Sequence, residues 1–555
     1  MNASSSSDRG AALFTVCVFI AVAALLLAGL AARATQQAHQ IDHYRAFEDC
    51  MPSLDAAIAR SIFDLESGGN GWIGLGNWSP SSTKGKLDLP TFNDPVEPMS
   101  LSGTPSVEYM AFAKDWASDG FDNNGDGATD DGRESGVYTI YAFAKARGVR
   151  RAAQVVVQGS DINVWRNALF AGDGNKNGLV TGNVTVAGSV HLLGDELLDG
   201  AVAISLTGSG EIKNNYGGMP AAFTKRIPGL EYEEHDGEKV QTLGAKLRVK
   251  RGRVGISGGA TIGTKNVGNN KVKETLDATF VADGWTGTSV ASDGDRGDPK
   301  NVFSDNGWDA PYDMGDGLKF PLLSDPYHEM ASGETFIDSS TGKAYSTFDY
   351  WKAALTPEIY KGDMTITTEK DFYWNAQRPS ESFEEAANRK PGEDYIYFNA
   401  KTNIMEVSGQ IMIDGDLYLG KEKKQDKTLY FTGRAAILVN GNVDIDTNLY
   451  SQNADGSQSG SFPVANCLGI MAGKDIVVGR TANQYVMGAF YAQGKFESLK
   501  KTHIAGSVVA NYFDFGKSSP LIYEVPTLAD NLPEGMLGVS NGSSLTQLAW
   551  REIGA

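Results

Sequence analysis

The sequence predicts an α+β chain, mostly β. A long N-terminal hydrophobic α-helix leads into a small antiparallel sheet with an acidic loop, and then into a right-handed parallel β-helix-like solenoid, with a β-sandwich as the alternative. Three observations carry this. The stretch from Ala11 to Ala32, 22 residues, holds no charge. An Asp/Asn/Gly-rich loop lies between two alternating strand patterns. Beyond residue 160, single glycines cut short apolar runs, which reads as many turns and strands.

The helix comes first in the chain. Twenty-two helical residues span about 33 Å, enough for a hydrocarbon core of roughly 30 Å. The pattern continues through Ile41, Tyr44, Phe47, Met51, Leu54, Ile58, Ile62 and Leu65 at spacings of three or four. One helix is therefore expected to leave the membrane and enter the folded body. Pro52 removes a hydrogen bond and predicts a kink or break near residues 50–53, with helix resuming to about Glu66. Ser67-Gly68-Gly69-Asn70-Gly71 then stops it.

Residues 67–160 read as a head. Ser106–Lys114 alternates, with Val107, Tyr109, Ala111 and Ala113 on one face. Gly136–Ala146 and Val149–Gln158 follow, joined by an Arg147-Gly148 turn. Between the first two strands runs the loop from Asp119 to Glu134. Calcium takes six to eight hard oxygens, which alternating side chains around a glycine turn can supply. Asp122, Asn124 and Asp126 stand at loop positions one, three and five, with Gly127 at six. Ala128 would offer its carbonyl and Asp130 falls at nine. Position twelve is Arg133, so Glu134, Asp131 or Asp119 would have to complete a structural calcium site. The other reading is an acidic turn without an ion.

Residues 161–530 read as the solenoid. Gly178–Gly194, Val407–Gly420, Gly433–Ile445, Gly473–Gly479 and Ile504–Ala510 share one strand–glycine–strand texture, as expected of stacked coils. Residues from about 220 to 400 break that texture and read as an insertion. Its aromatic and acidic residues, such as Trp285, Trp351 and Asp305, could form a partner or glycan surface or a small solvated core. Residues 531–555 are left as a C-terminal tail.

A net charge of −19 argues against nucleic acid as a partner. Of the three cysteines, Cys50 and Cys467 could pair in an oxidising compartment. His39 and His43 stand at i, i+4 beside Asp42, where a metal is conceivable but a solvated helix face is the simpler reading. No HExxH or P-loop is present. The expectation is therefore no enzyme, with polysaccharide processing as the remote alternative.

The polar head 1–10 ends in Arg9-Gly10, and the apolar helix begins at once with Ala11-Ala12-Leu13. Here the chain resembles type IV pilus minor pilins of the PilX group and the K-type pseudopilins of type II secretion. The resemblance implies cleavage between Gly10 and Ala11 by a prepilin peptidase. It also implies residence in the inner membrane before assembly, then a periplasmic or extracellular filament of pilin subunits joined through their first helices. Major pilins of that family carry a glutamate at the fifth mature position, and here that position is Thr15. K-type pseudopilins also have an uncharged residue there, which implies a place near the filament tip. An ordinary membrane anchor and a cleaved secretory signal remain alternatives, the latter because Ala32-Arg33-Ala34 resembles a cleavage site.

Overall fold

In the computed structural model, the described residues are 7–66, 70–75, 82–83, 86–87, 99–100, 107–116, 137–160, 163–174, 178–235, 237–291, 297–308, 320–327, 336–354, 358–390, 392–420, 428–516, 518–537 and 544–553. They form two compact units. The first joins Met1–Gly159 to Leu545–Ala555, and the second is Ser160–Ser544, inserted between them.

The first unit is a helix on a sheet. Helix α1 spans Ser7–Glu66. The sheet has five strands: β1 (Met99–Ser100), β2 (Val107–Asp115), β3 (Val137–Ala146), β4 (Val149–Ser160) and β5 (Ser544–Ile553), in that spatial order. The β2–β3 and β3–β4 pairs are antiparallel, with Ala111 opposite Ala142 and Ala142 opposite Ala153. The sequence-predicted alternation holds. Tyr109, Ala111 and Ala113 face α1, while Met110 and Phe112 face a second apolar cluster with Phe143 and Leu75. Alanine dominates the helix-facing side, so α1 can approach closely and bury Ala46, Cys50, Leu54, Ala57, Ile58 and Leu65. Arg147 and Gly148 both take positive φ, 48° and 87°, as a tight hairpin turn requires.

Pro52 does not break α1, which is a single helix through that position. The proline is exposed on the face away from the sheet. The carbonyl it leaves unpaired, that of exposed Glu48, can therefore be met by water. The helix ends where expected. The Gly71 N–H donates to Asp64 Oδ2 (2.8 Å) and the Ser61 hydroxyl to the Gly71 carbonyl (2.6 Å). Gly71 has φ +72°, and a Cβ there would lie 2.6 Å from that of Ala113.

The second unit is built on three ladders of parallel strands. Each ladder presents a column of apolar side chains to the interior. In the first, Ile411, Ile437, Ile470, Phe490, Val508, Leu169, Val190 and Leu247 follow one another in register. In the second, Met364, Leu417, Val443, Ile476, Phe496, Phe513, Val180, Ile204, Val254 and Trp285 do the same. The third runs Leu429, Leu449, Val486, Ile504, Ile522, Val186, Ile212 and Ile262. These side chains are buried throughout. Such parallel registers are not those of an antiparallel sandwich.

The order of the columns differs from the order of the chain. Along the stack, strands from 360–523 come first and those from 169–302 follow. The last-made strands, Thr502–Asp514 and Leu521–Tyr523, pair with the first-made, Leu169–Ala171, Val180–Thr181 and Thr185–Ala187. The chain thus starts in mid-stack, builds to one end, returns to the other end and closes on its own beginning. Parts of the return segment lie on the stack. Phe320 stacks on Tyr491 at 5.6 Å, the Tyr491 hydroxyl donates to the Pro321 carbonyl (2.7 Å), and the Leu323 N–H donates to Gln493 Oε1 (3.2 Å).

The stretch 220–400 is therefore not simply an insertion. Lys246–Val249, Arg253–Ile256, Ala278–Val281 and Met364–Ile366 are ladder strands. The antiparallel hairpins Tyr232–His235/Glu238–Gln241 and Phe372–Asn375/Tyr395–Asn399 depart from that pattern. The supposed tail is not one either, since Ser544–Ile553 is the last strand of the first unit's sheet.

One corner of the stack is marked by Asx residues at or just after a glycine. The Asp416 N–H donates to Asp363 Oδ1 (3.0 Å), the Asn442 N–H to Asp416 Oδ1 (2.7 Å) and the Lys495 N–H to Asp475 Oδ1 (2.9 Å). Each side chain thus satisfies a backbone donor at the next level of the ladders. The end strand Ala278–Val281 is closed similarly: Asn306 Oδ1 accepts from the Thr279 N–H (2.8 Å) and its Nδ2 donates to the Thr279 carbonyl (3.1 Å). An amide side chain stands where another strand could pair.

Candidate functional site: the uncovered half of the long helix

Within α1 the surroundings change at Ala46. From Leu13 to Arg45 every residue is exposed, including Phe14, Phe19, Leu25, Leu26, Leu27 and Leu30. From Ala46 onward one face is buried on the sheet. Among the described residues, α1 is the one helix long and apolar enough to cross a membrane, and its most apolar window has no protein cover. Water is the wrong solvent for such a surface, so lipid or another apolar helix is its proper environment. Thr15 lies within this exposed stretch. Gly10 and Ala11 lie in the first turns of α1.

The helix is fastened to the head by groups the sequence did not single out. Arg151 on β4 is 7% exposed and forms a two-pronged ion pair with Glu552 on β5, Nε–Oε1 and Nη2–Oε2 both 2.8 Å. Its guanidinium lies 3.8 Å from the centroid of the Phe47 ring on α1. The hydrogen bond to Glu552 raises the Arg151 pKa, and the same bond lowers that of Glu552. Burial pushes the nearby Cys50 thiol up. On the same strands Arg551 donates through Nε to Gln154 Oε1 at 2.8 Å. The available signal was the run Leu545–Ile553, whose aromatic and charged alternation fits a strand as well as a tail.

The expected calcium ligands Asp122, Asn124, Asp126, Ala128, Asp130 and Glu134 lie outside the described residues. What is described is the base of their loop. Asp115 pairs with Tyr138 across the β2–β3 ladder, and Trp116 Nε1 donates to Thr139 Oγ1 at 2.8 Å. Among the described residues, no group of three or more His, Cys, Asp or Glu side chains could hold a metal ion, and His39 and His43 are both exposed. Cys50 and Cys467 do not pair: both are free thiols, each buried within its own unit. Burial drives the Cys467 pKa up to about 12.

The second unit holds one dense charge cluster. Lys273 Nζ meets Glu233 (2.7 Å), Asp277 (2.8 Å) and Asp305 (2.9 Å). Burial alone would lower its pKa, but the three carboxylates hold it above the usual lysine range. Lysine already supplies the cation there, and the cluster ties the Tyr232–His235 hairpin to the stack. An aromatic row, Tyr430, Tyr450, Tyr485, His503 and Tyr523, stacks along the third ladder. Phe223 caps it edge-on. The ring faces are occupied by one another, which makes the row a packing element.

No family model matches the sequence, and no curated protein matches it. Among solved structures it is similar to the competence-associated pilin ComZ from Thermus thermophilus, at 17% identity, over 94% of this chain and 96% of that one, with a TM-score of 0.46. At that level the likeness carries no argument, so the functional reading rests on the chain's own features.

Proposed function

We propose that the chain is a structural, non-enzymatic minor pilin- or pseudopilin-like subunit. It is held in the inner membrane by α1 and later built through α1 into a periplasmic or extracellular filament, near its tip. The supporting observation is that one continuous helix has two environments. Its second half is packed into a head, and its first half is apolar with no protein cover. A helix that only anchored the chain would need no rigid continuation into a sheet. In this reading the partners are other pilin or pseudopilin subunits. The loop from Asp122 to Glu134 binds a structural calcium ion. The ladders are coils of a right-handed β-helix, the hand that parallel crossovers favour. The body displays any glycan- or protein-binding surface.

N-terminal sequencing of mature protein is the test. A chain beginning at Ala11 supports the reading, whereas one beginning at Met1 or Thr35 overturns it. The second reading, a membrane-anchored β-solenoid adhesin, is favoured by the size of the inserted unit, and a start at Met1 would support it.

A further inference from the structure

We propose that β5 is a latch for α1: docking of the C-terminal strand, through Glu552 on Arg151, locks the lower half of the helix onto the head sheet. Three observations lead here. First, Arg151 is almost fully buried and Glu552 is the carboxylate that meets it. With β5 docked but Glu552 neutralised, the guanidinium under Phe47 and beside Cys50 would stay covered without a counter-charge, a costly state for a buried ion; with β5 gone it would turn to water and leave the Phe47 ring. Second, the guanidinium is the bridge itself, with Glu552 on one side and the Phe47 ring and carbonyl on the other. Strand docking and helix packing therefore share one group. Third, the whole second unit is spliced between β4 and β5. Its own entry and exit are tied together, since Trp165 Nε1 donates to the Leu537 carbonyl at 2.9 Å. β5 therefore reaches the sheet only after that unit has been made. The proposal does not depend on the filament reading.

The three cysteines are ready-made reporters. Cys50 is wholly buried between α1 and the sheet, Cys467 is wholly buried in the second unit, and Cys17 is exposed. Full-length protein in detergent is labelled with a maleimide, and each thiol is followed by peptide mass spectrometry. Glu552→Gln should speed Cys50 labelling about tenfold through local opening, with Cys467 unchanged. A chain ending at Ser543 should label faster still at Cys50. In the double variant Arg151→Met/Glu552→Gln, which leaves no buried charge, protection of Cys50 should largely return. Unchanged Cys50 labelling in both Glu552→Gln and the truncated chain overturns the latch. So does parallel acceleration of Cys50 and Cys467, which would report global unfolding. A double variant as open as Glu552→Gln alone overturns the role of the ion pair.

Discussion

Arg151 and Glu552 stand 401 positions apart in the chain and meet in a bidentate ion pair with both distances 2.8 Å. The pair closes the head only after the entire second unit has been made, and it sets the first expectation. Arg151→Ala removes the pair, the stacking on Phe47 and buried aliphatic stem together. It should destabilise the head by about 2–3 kcal/mol, discounted for the half-exposed carboxylate. Urea unfolding followed at the first unit's own aromatic residues would measure it, and a loss near zero would contradict the packing described.

The inward columns should respond like any close-packed core. Ile470 sits in register between Ile437 and Phe490 and is fully buried. Ile470→Ala should cost about 2–5 kcal/mol, read as an earlier denaturant midpoint for the second unit.

Gly441 makes a sharper case. A Cβ there would fall 2.6 Å from the Gly415 carbonyl oxygen at the neighbouring level of the ladders. Gly441→Ala should therefore destabilise by about 1–3 kcal/mol through overpacking, although alanine is otherwise the gentler residue for a chain to order. Equal stability of the two proteins would mean that the two levels stand further apart.

Asn306 closes the backbone of the end strand at Thr279. Replacing it with alanine frees one N–H and one carbonyl at a sheet edge, a template for another chain. Light scattering of Asn306→Ala should show association that rises with concentration, while the parent protein stays unchanged over the same range.

One buried and one half-buried imidazole, His191 and His503, set a pH dependence. Burial lowers the His191 pKa well below its usual value and brings that of His503 from 6.5 to about 4. Both groups bind protons more readily in the unfolded chain. The stability they leave intact is fully present above about pH 6.5 and is lost as pH falls from there toward about 4. Thermal unfolding across that window should show a falling midpoint, and His503→Phe should flatten part of the slope by removing one titrating ring while keeping the stack.

How much of this was legible beforehand depends on distance along the chain. The apolar run from Ala11 and the alternation of Tyr109, Ala111 and Ala113 are local periodicities, and they led directly to α1 and the β2–β3–β4 meander. The Arg147-Gly148 turn was legible for the same reason. Pro52 misled because the rule about proline describes a helix interior in general, whereas here its freed carbonyl faces solvent. The ladder strands between 246 and 286 were missed because charged residues such as Lys246, Arg248 and Arg253 alternate with the buried ones and mask the apolar texture seen elsewhere.

By itself, then, the sequence determined the long helix, its uncovered apolar half, the small sheet and the repeated strand–glycine punctuation, since each follows from residues within a few positions of one another. Only the tertiary structure decided that the last ladder strands pair with the first, that Ser544–Ile553 completes the head, and that Cys50 and Cys467 remain free thiols. Those outcomes depend on which of many similar apolar strands pair. Neighbouring levels of the ladders offer nearly equivalent registers to any one strand, so the choice is made by the sum of contacts across hundreds of residues and leaves no local mark in the chain.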